Sequence, residues 1–215
     1  MGKPSAATVV GLRERKKAQT RRMMIDAAVD LCLAQGYENT TVEQIAGAVE
    51  ISPRTFSRYF PSKEAVFIAV IDDLAEEITA ELEGQPPDLG PMESLRAAHV
   101  SVLTRVAERR PVAGLTAERI VLILQIVSSC DDLRHAAMEY RSPAAMAALA
   151  EHMGVAPDDK RLELAVALFS TTIVRACTDV AASDPDVPLG PTFVTERLER
   201  ALSDLAQFTA ELRLV

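Results

Sequence analysis

Apolar residues recur every three or four positions along most of the chain, the spacing of one helix face, and sustained two-residue alternation is absent. Met24, Ile25, Ala28, Leu31 and Cys32 form such a stripe on a helix from Arg13 to Gln35, which Gly36 closes. Ahead of it, residues from 1 to about 12 show no periodicity and read as a flexible basic arm. Val42, Ile45, Ala46 and Val49 make a second, shorter stripe, and Phe56 and Phe60 mark a third on a helix from Pro53 to Phe60. A long helix follows from Lys63 to Glu83, with Val66, Phe67, Val70, Ile71, Leu74, Ile78 and Leu82 on one side. The segment GQPPDLGP (84–91) is a linker by composition. Beyond it, helices are expected over Met92–Arg109, Leu115–Val127, Asp132–Met153, Lys160–Ala182 and Pro191–Leu212. The expected fold is all-α with about nine helices, a three-helix head on a larger helical body.

The most specific stretch runs from Thr41 to Lys63, TVEQIAGAVEISPRTFSRYFPSK. Thr41 is placed to cap the first helix and Gln44 to complete a capping box. Glu50 and Ile51 make the turn, Ser52 caps the next helix, and Pro53 takes its first position, where a missing N–H costs nothing. With Phe56 and Phe60 turned to the core, Arg54, Thr55, Ser57, Arg58 and Tyr59 face outward. Pro61 ends the helix, and Ser62 caps the one that starts at Lys63. Two short helices across a tight turn, the second polar and basic outside, form a helix-turn-helix over residues 41–60, whose second helix lies in the DNA major groove.

The run GYENTTVEQIAGAVEISPRTFSRYFPSKEAVF resembles the N-terminal signature of tetracycline-repressor (TetR) family transcription regulators nearly position for position. The close resemblance covers roughly Arg21 to Ile71; beyond it only helical rhythm and length agree. It implies a DNA-binding domain over 1–62 and a ligand-binding and dimerisation domain over 63–215, with the 63–83 helix connecting them. Thr41, Pro53, Arg54, Thr55, Ser57, Arg58, Tyr59 and Lys63 stand at the DNA-facing positions: Arg54 and Thr55 as base readers, Ser57 as a lesser one, and Lys63 and Tyr59 on phosphates beside Thr41. Two residues depart from the family. Glu50 replaces a glycine at a turn position that often needs positive φ, and Ser57 replaces a tyrosine that reaches the phosphates.

A net charge of −8 argues against a nucleic-acid partner until its distribution is read. Residues 1–63 carry ten Lys/Arg against six Asp/Glu, and residues 64–215 carry thirteen against twenty-five. A basic head on an acidic body attracts double-stranded DNA at one end only. Cys32, Cys130 and Cys177 lie far apart in apolar surroundings without zinc spacing, which suits a reducing cytoplasm and neither a disulfide nor a metal. No run is apolar enough to span a membrane, so no membrane partner is expected. No nucleophile–base pair, Gly-rich phosphate loop or ligand cluster points to an enzyme or a cofactor.

The stretch Leu162–Val180 is apolar nearly all round and needs burial on more than one side. With the last helix (Phe193, Val194, Leu198, Leu202, Leu205, Phe208) it is the expected homodimer interface, the arrangement the resemblance also implies. Ligand candidates are polar groups stranded on apolar helices: His99, Gln125, Tyr140, Thr172 and Arg175. Arg175 stands out, because a buried guanidinium needs a partner such as an acidic ligand or an acid across the dimer. The aliphatic walls favour a small apolar effector. The reading is a dimeric, ligand-responsive repressor of a pseudo-palindromic operator; the alternative is a DNA-binding regulator with no small-molecule ligand.

Overall fold

The computed structural model describes residues 6–110, 112, 114–178 and 188–211. Among them are ten helices and no strand: α1 (Ala6–Gln35), α2 (Val42–Ala48), α3 (Pro53–Phe56), α4 (Lys63–Glu83), α5 (Pro91–Ala107), α6 (Ala117–Ser129), α7 (Asp131–Glu139), α8 (Pro143–Met153), α9 (Lys160–Ala176) and α10 (Pro191–Ala210). The all-α class is as expected. The chain divides into two compact units, Met1–Ala69 and Val70–Val215.

In the first unit, Met24, Ile25, Ala28, Val29 and Cys32 of α1 are buried together with Ile45 and Ala46 of α2, Phe56 and Phe60, and Val66 and Phe67 of α4. The capping box forms as read: Gln44 N donates to Thr41 Oγ1 (3.2 Å) and Thr41 N donates to Gln44 Oε1 (2.9 Å). At the end of α2, Ile51 N donates to Ala46 O (3.0 Å) and Glu50 N to Gly47 O (3.1 Å). This paired bonding is the Schellman motif, which requires a left-handed residue at its penultimate position. Glu50 occupies that position, with φ 55°.

Three expectations about element bounds are corrected. Helix α1 begins at Ala6, so the flexible arm expected to about residue 12 is helical from Ala6 onward, and residues 1–5 lie outside the described residues. Helix α3 closes at Phe56, whereas Phe60 was expected. Beyond it Arg58 N to Thr55 O (3.2 Å) and Tyr59 N to Phe56 O (2.8 Å) are i→i−3 bonds, a last tightened turn before Pro61, which cannot continue a helix. The single helix expected over Asp132–Met153 is two, α7 and α8. Pro143 again explains the break: Ser142 takes extended geometry (ψ 122°) and its Oγ caps α8 by accepting from Ala145 N. The stretch expected to continue α9 to Ala182 lies from 179 outside the described residues.

In the second unit α5 packs against α8, α9 and α10, α9 also packs on α7 and α10, and α7 on α6. The core includes Val102, Leu124, Ile126, Leu149, Leu162 and Leu198. Among the described residues one charged side chain is taken deep inside: Arg119 of α6 is only 3% exposed. Its Nη1 bonds Asp73 Oδ2 of α4 at 2.5 Å and also donates to Gly114 O. Asp72, the neighbouring acid, accepts from Tyr140 Oη. Arg105 of α5 bridges Glu77 (3.2 Å) and Glu81 (3.0 Å) of α4. These polar ties, on apolar packing, fix α4 against α5, α6 and the end of α7.

The exposed Glu50 holds a left-handed conformation that costs a Cβ-bearing residue about 1–2 kcal/mol relative to a right-handed one. Replacing Glu50 by glycine is therefore expected to stabilise the protein by about 1 kcal/mol, read as a higher melting temperature. An unchanged or lower value would show that the turn carries no strain.

Candidate nucleic-acid interface and internal cavity

The polar side of the helix-turn-helix is created by what its apolar side must bury. Phe56 and Phe60 are buried with ring centroids 5.8 Å apart, and the Arg21 guanidinium lies 5.4 Å from the Phe60 centroid. That leaves Pro53, Arg54, Ser57 and Arg58 exposed and Thr55 and Tyr59 half-buried. Thr41 is exposed at the start of α2. Thr55 is held by the Ser52 cap, its N–H donating to Ser52 Oγ (3.1 Å) and its hydroxyl 2.9 Å from the same oxygen. The Ser57 hydroxyl turns back on its own helix and donates to Pro53 O (3.0 Å).

Lys63 is more tightly held than its place at a helix start implied. Its ammonium donates to Tyr37 O (2.7 Å) and sits 3.9 Å from the Tyr37 ring centroid. Tyr37 in turn donates to Glu64 Oε1 (3.0 Å). The Glu64 carboxyl is held below its usual range, first by the Ser62 hydroxyl and also by its own backbone N–H at the helix start. Cys32 is buried and its thiol is pushed up by that burial, the state of an inert packing residue.

The second unit holds a partly open cavity of about 190 Å³ lined by residues of α4, α5, α6, α7, α8, α9 and α10. Its walls are mainly aliphatic: Ile71, Leu74 and Ile78 from α4, Leu103 from α5, Leu124 and Val127 from α6, Leu149 from α8, and Val166 and Ile173 from α9. Of the five candidates, His99 and Tyr140 line it. Gln125, Thr172 and Arg175 are not among its lining residues. The Gln125 carbonyl accepts from Ser128 and Ser129, and the Thr172 hydroxyl donates to Leu168 O (2.7 Å). The burial expected for Arg175 is overturned: it is exposed. Leu162, Ala165, Phe169 and Cys177 take the inward face at three- and four-residue steps, except for one longer step at the helix end, and Arg175 falls beside Leu164, Leu168 and Thr171 on the other.

Arg141, Ser142 and Ser170 line the cavity unannounced by the sequence pattern. Arg141 and Ser142 sit at the break between α7 and α8 that a continuous helix would not have, and the Ser-Pro pair was the signal for it. Arg141 Nη1 donates to Met138 O (2.7 Å) and Tyr140 O (2.9 Å), closing the end of α7. Ser170 donates to Met138 O (3.0 Å). The Tyr140 hydroxyl is pushed well above its ordinary pKa, first by burial and then by its bond to Asp72. His99 has its ring 4.6 Å from that of Phe169, and its Nδ1 lies 2.7 Å from Leu95 O. Burial pushes its pKa down to about 4.

Short helices around a Schellman turn, with the second helix's polar side exposed, define the helix-turn-helix class of DNA-binding regulators. Residues 24–70 match the profile of the bacterial regulatory proteins, tetR family. The chain is 49% identical over 98 residues to the HTH-type transcriptional regulator TcmR of Streptomyces glaucescens, covering 46% of this chain and 43% of that protein. It is 31% identical over 91 residues to the HTH-type transcriptional regulator RutR of Escherichia coli K12, covering 42% and 43%. The chain thus spans less than half the length of these curated relatives. Two solved structures share the fold over most of the chain. One is Thermus thermophilus FadR, a TetR-family repressor in complex with lauroyl-CoA (TM-score 0.50, 24% identity, 91% of this chain and 95% of that one). The other is SmeT, the repressor of the Stenotrophomonas maltophilia multidrug efflux pump SmeDEF (TM-score 0.51, 18% identity, 86% and 89%). Over residues 24–70 the chain carries the domain that the bacterial regulatory proteins, tetR family, share.

The depressed pKa of His99 sets a pH window. The folded protein resists protonating His99 until about pH 4, whereas the unfolded chain takes that proton near the ordinary value of 6.5. This contribution to stability is complete above about pH 6.5 and is lost as pH falls towards 4, at up to about 1.4 kcal/mol per pH unit. Denaturant melts from pH 7 to pH 4 should show this slope, and His99→Leu should remove it.

Proposed function

We propose that this protein is a ligand-responsive transcriptional repressor, not an enzyme, that binds a pseudo-palindromic DNA operator as a homodimer in the cytoplasm. The observation that carries the reading is the course of α4. The helix begins at Lys63 behind the helix-turn-helix, and its Ile71–Ile78 stretch lines the cavity of the second unit. A molecule that fits one arrangement of that wall better than another biases the equilibrium by the difference in its affinities. The small, mainly aliphatic cavity suits an apolar effector. Among the described residues no helix is long and apolar enough to cross a membrane, which is compatible with a DNA-binding role.

On DNA, Arg54 and Thr55 are the proposed base readers, with Ser57 a weaker one because its hydroxyl is already bonded to Pro53 O. Thr41, Tyr59 and Lys63 are the proposed phosphate contacts, flanked by Pro53 and Arg58, although one of the three ammonium donors of Lys63 is committed to Tyr37 O. Two heads in successive major grooves, about 34 Å apart, require a dimer. Support for one comes from the exposed face of α9 and α10, where Leu164 (59%), Leu168 (42%) and Phe208 (66%) stand in solvent beside half-exposed Leu202 and Leu205. Large apolar residues left exposed on two packed helices support such an interface. Arg175 lies on the same face, available to an acid across it.

Selection of bound sequences from random DNA is expected to return a palindrome. At one position of each half-site, Arg54→Ala should lose about 1–3 kcal/mol of discrimination. If the variant ranks all single-base operator changes as the wild type does, Arg54 reads no base. Leu168→Glu, with a charge in the middle of the exposed α9 face, should convert dimer to monomer by light scattering. A wild type that is monomeric at micromolar concentration would remove the dimer from the reading.

A further inference from the structure

The cavity wall carries a polar atom with no protein partner among the described residues. A carbonyl oxygen only accepts, so the 2.7 Å contact between His99 Nδ1 and Leu95 O places the ring's proton on Nδ1. In the neutral ring the other nitrogen, Nε2, then carries a lone pair and no hydrogen. Apolar surroundings keep the ring neutral at physiological pH, since burial lowers its proton affinity. Nε2 has no hydrogen-bond partner among the described residues, and the ring lines the cavity. The other polar groups nearby differ in kind: the Tyr140 hydroxyl donates to Asp72, Ser170 donates to Met138 O, and Arg141 Nη1 closes α7. Nε2 stays accessible at the cavity wall, where an occupant that brings a donor satisfies it and a pure hydrocarbon that displaces water leaves it unpaired.

We propose that His99 Nε2 is the specificity-determining acceptor of this cavity, and that the effector is a neutral, largely hydrocarbon molecule carrying one hydroxyl that donates to it. This rests on the cavity being the effector site. A carboxylate is disfavoured at that nitrogen, because two acceptors would face each other without a proton between them. The size is that of a small ring system: a dry cavity of about 150 Å³ takes benzene, and this one, at about 190 Å³, takes somewhat more. The tilted His99–Phe169 pair offers ring faces to such a molecule.

The test uses 2-naphthol, 2-methoxynaphthalene, naphthalene and 2-naphthoate as probes on the full-length protein, with binding measured by calorimetry and operator release measured separately. 2-Naphthol is expected to bind about tenfold tighter than the ether or the hydrocarbon, since only it satisfies the nitrogen. 2-Naphthoate should bind more weakly than 2-naphthol. In His99→Leu the advantage of 2-naphthol should fall to less than about threefold. If that variant does not fold, ¹⁵N NMR of the wild type gives the same answer: the Nε2 resonance should move upfield with 2-naphthol and stay in place with the ether. Equal binding of 2-naphthol and the ether, tighter binding of 2-naphthoate, or a preference that survives in His99→Leu would overturn the proposal and leave the cavity as an effector site. Failure of all four probes to bind would overturn the effector-site reading, and this proposal with it.

Discussion

The second unit depends on the burial of one guanidinium. Arg119 is almost fully enclosed, and its pairing with Asp73 ties α6 to α4. Removing a charge from water costs several kcal/mol, and an ion left buried without its partner destabilises a protein by roughly 3–5 kcal/mol. The pair therefore acts less as a source of stability than as a condition on geometry: only an arrangement that brings Asp73 to Arg119 is acceptable. Gly114 takes part in the same condition. Its carbonyl accepts from Arg119, its φ is 71°, and a Cβ there would come within 3.1 Å of Asp73 Oδ2. A side chain at position 114 would crowd the carboxylate and strain the backbone together.

That constraint gives the cavity its shape. Once Asp73 is fixed on one side of α4, Ile71, Leu74 and Ile78 are turned to the cavity, and Asp72 is left to meet Tyr140 at the end of α7. Tyr140 thus belongs both to the cavity lining and to the polar ties of α4. Any molecule seated against Tyr140 also touches the group that holds Asp72. The helix that answers to the cavity is the same one whose first turn carries Lys63 and packs Val66 and Phe67 into the helix-turn-helix core. One helix, α4, thus supplies both part of the helix-turn-helix core and part of the cavity wall.

In the head, local chemistry and tertiary packing agree. Thr41, Gln44, Ser52 and Pro53 dictate where α2 and α3 begin through bonds between residues at most three apart, and the structure forms those bonds. Glu50 is where they conflict. The Schellman bonding of the turn demands a left-handed residue, and the sequence supplies one with a Cβ. The packing of Ile45, Ala46 and Phe56 holds the turn in place despite that penalty.

What the sequence by itself determined is whatever depends on near neighbours in the chain. The helical periodicity, the caps, the turn, and the division between buried Phe56 and Phe60 and exposed Arg54 and Arg58 all follow from spacing and residue type. The break at Ser142-Pro143 was equally local and stood in the pattern, but a continuous apolar rhythm from Leu133 to Met153 concealed it. What only the tertiary structure decided is which polar residue on an apolar helix is enclosed. Arg119 and Arg175 look alike in the chain, each a cation among aliphatic residues near one end of a helix. Arg119 is buried because Asp73, 46 positions earlier, comes to meet it, and Arg175 is exposed because its side of α9 faces away from the core. His99 became an acceptor in a cavity for a similar reason: its own helix fixes the proton at Leu95 O, but the walls that keep the ring neutral come from other helices, remote in sequence. Burial is a property of contacts between segments remote in sequence, and no local spacing encodes it.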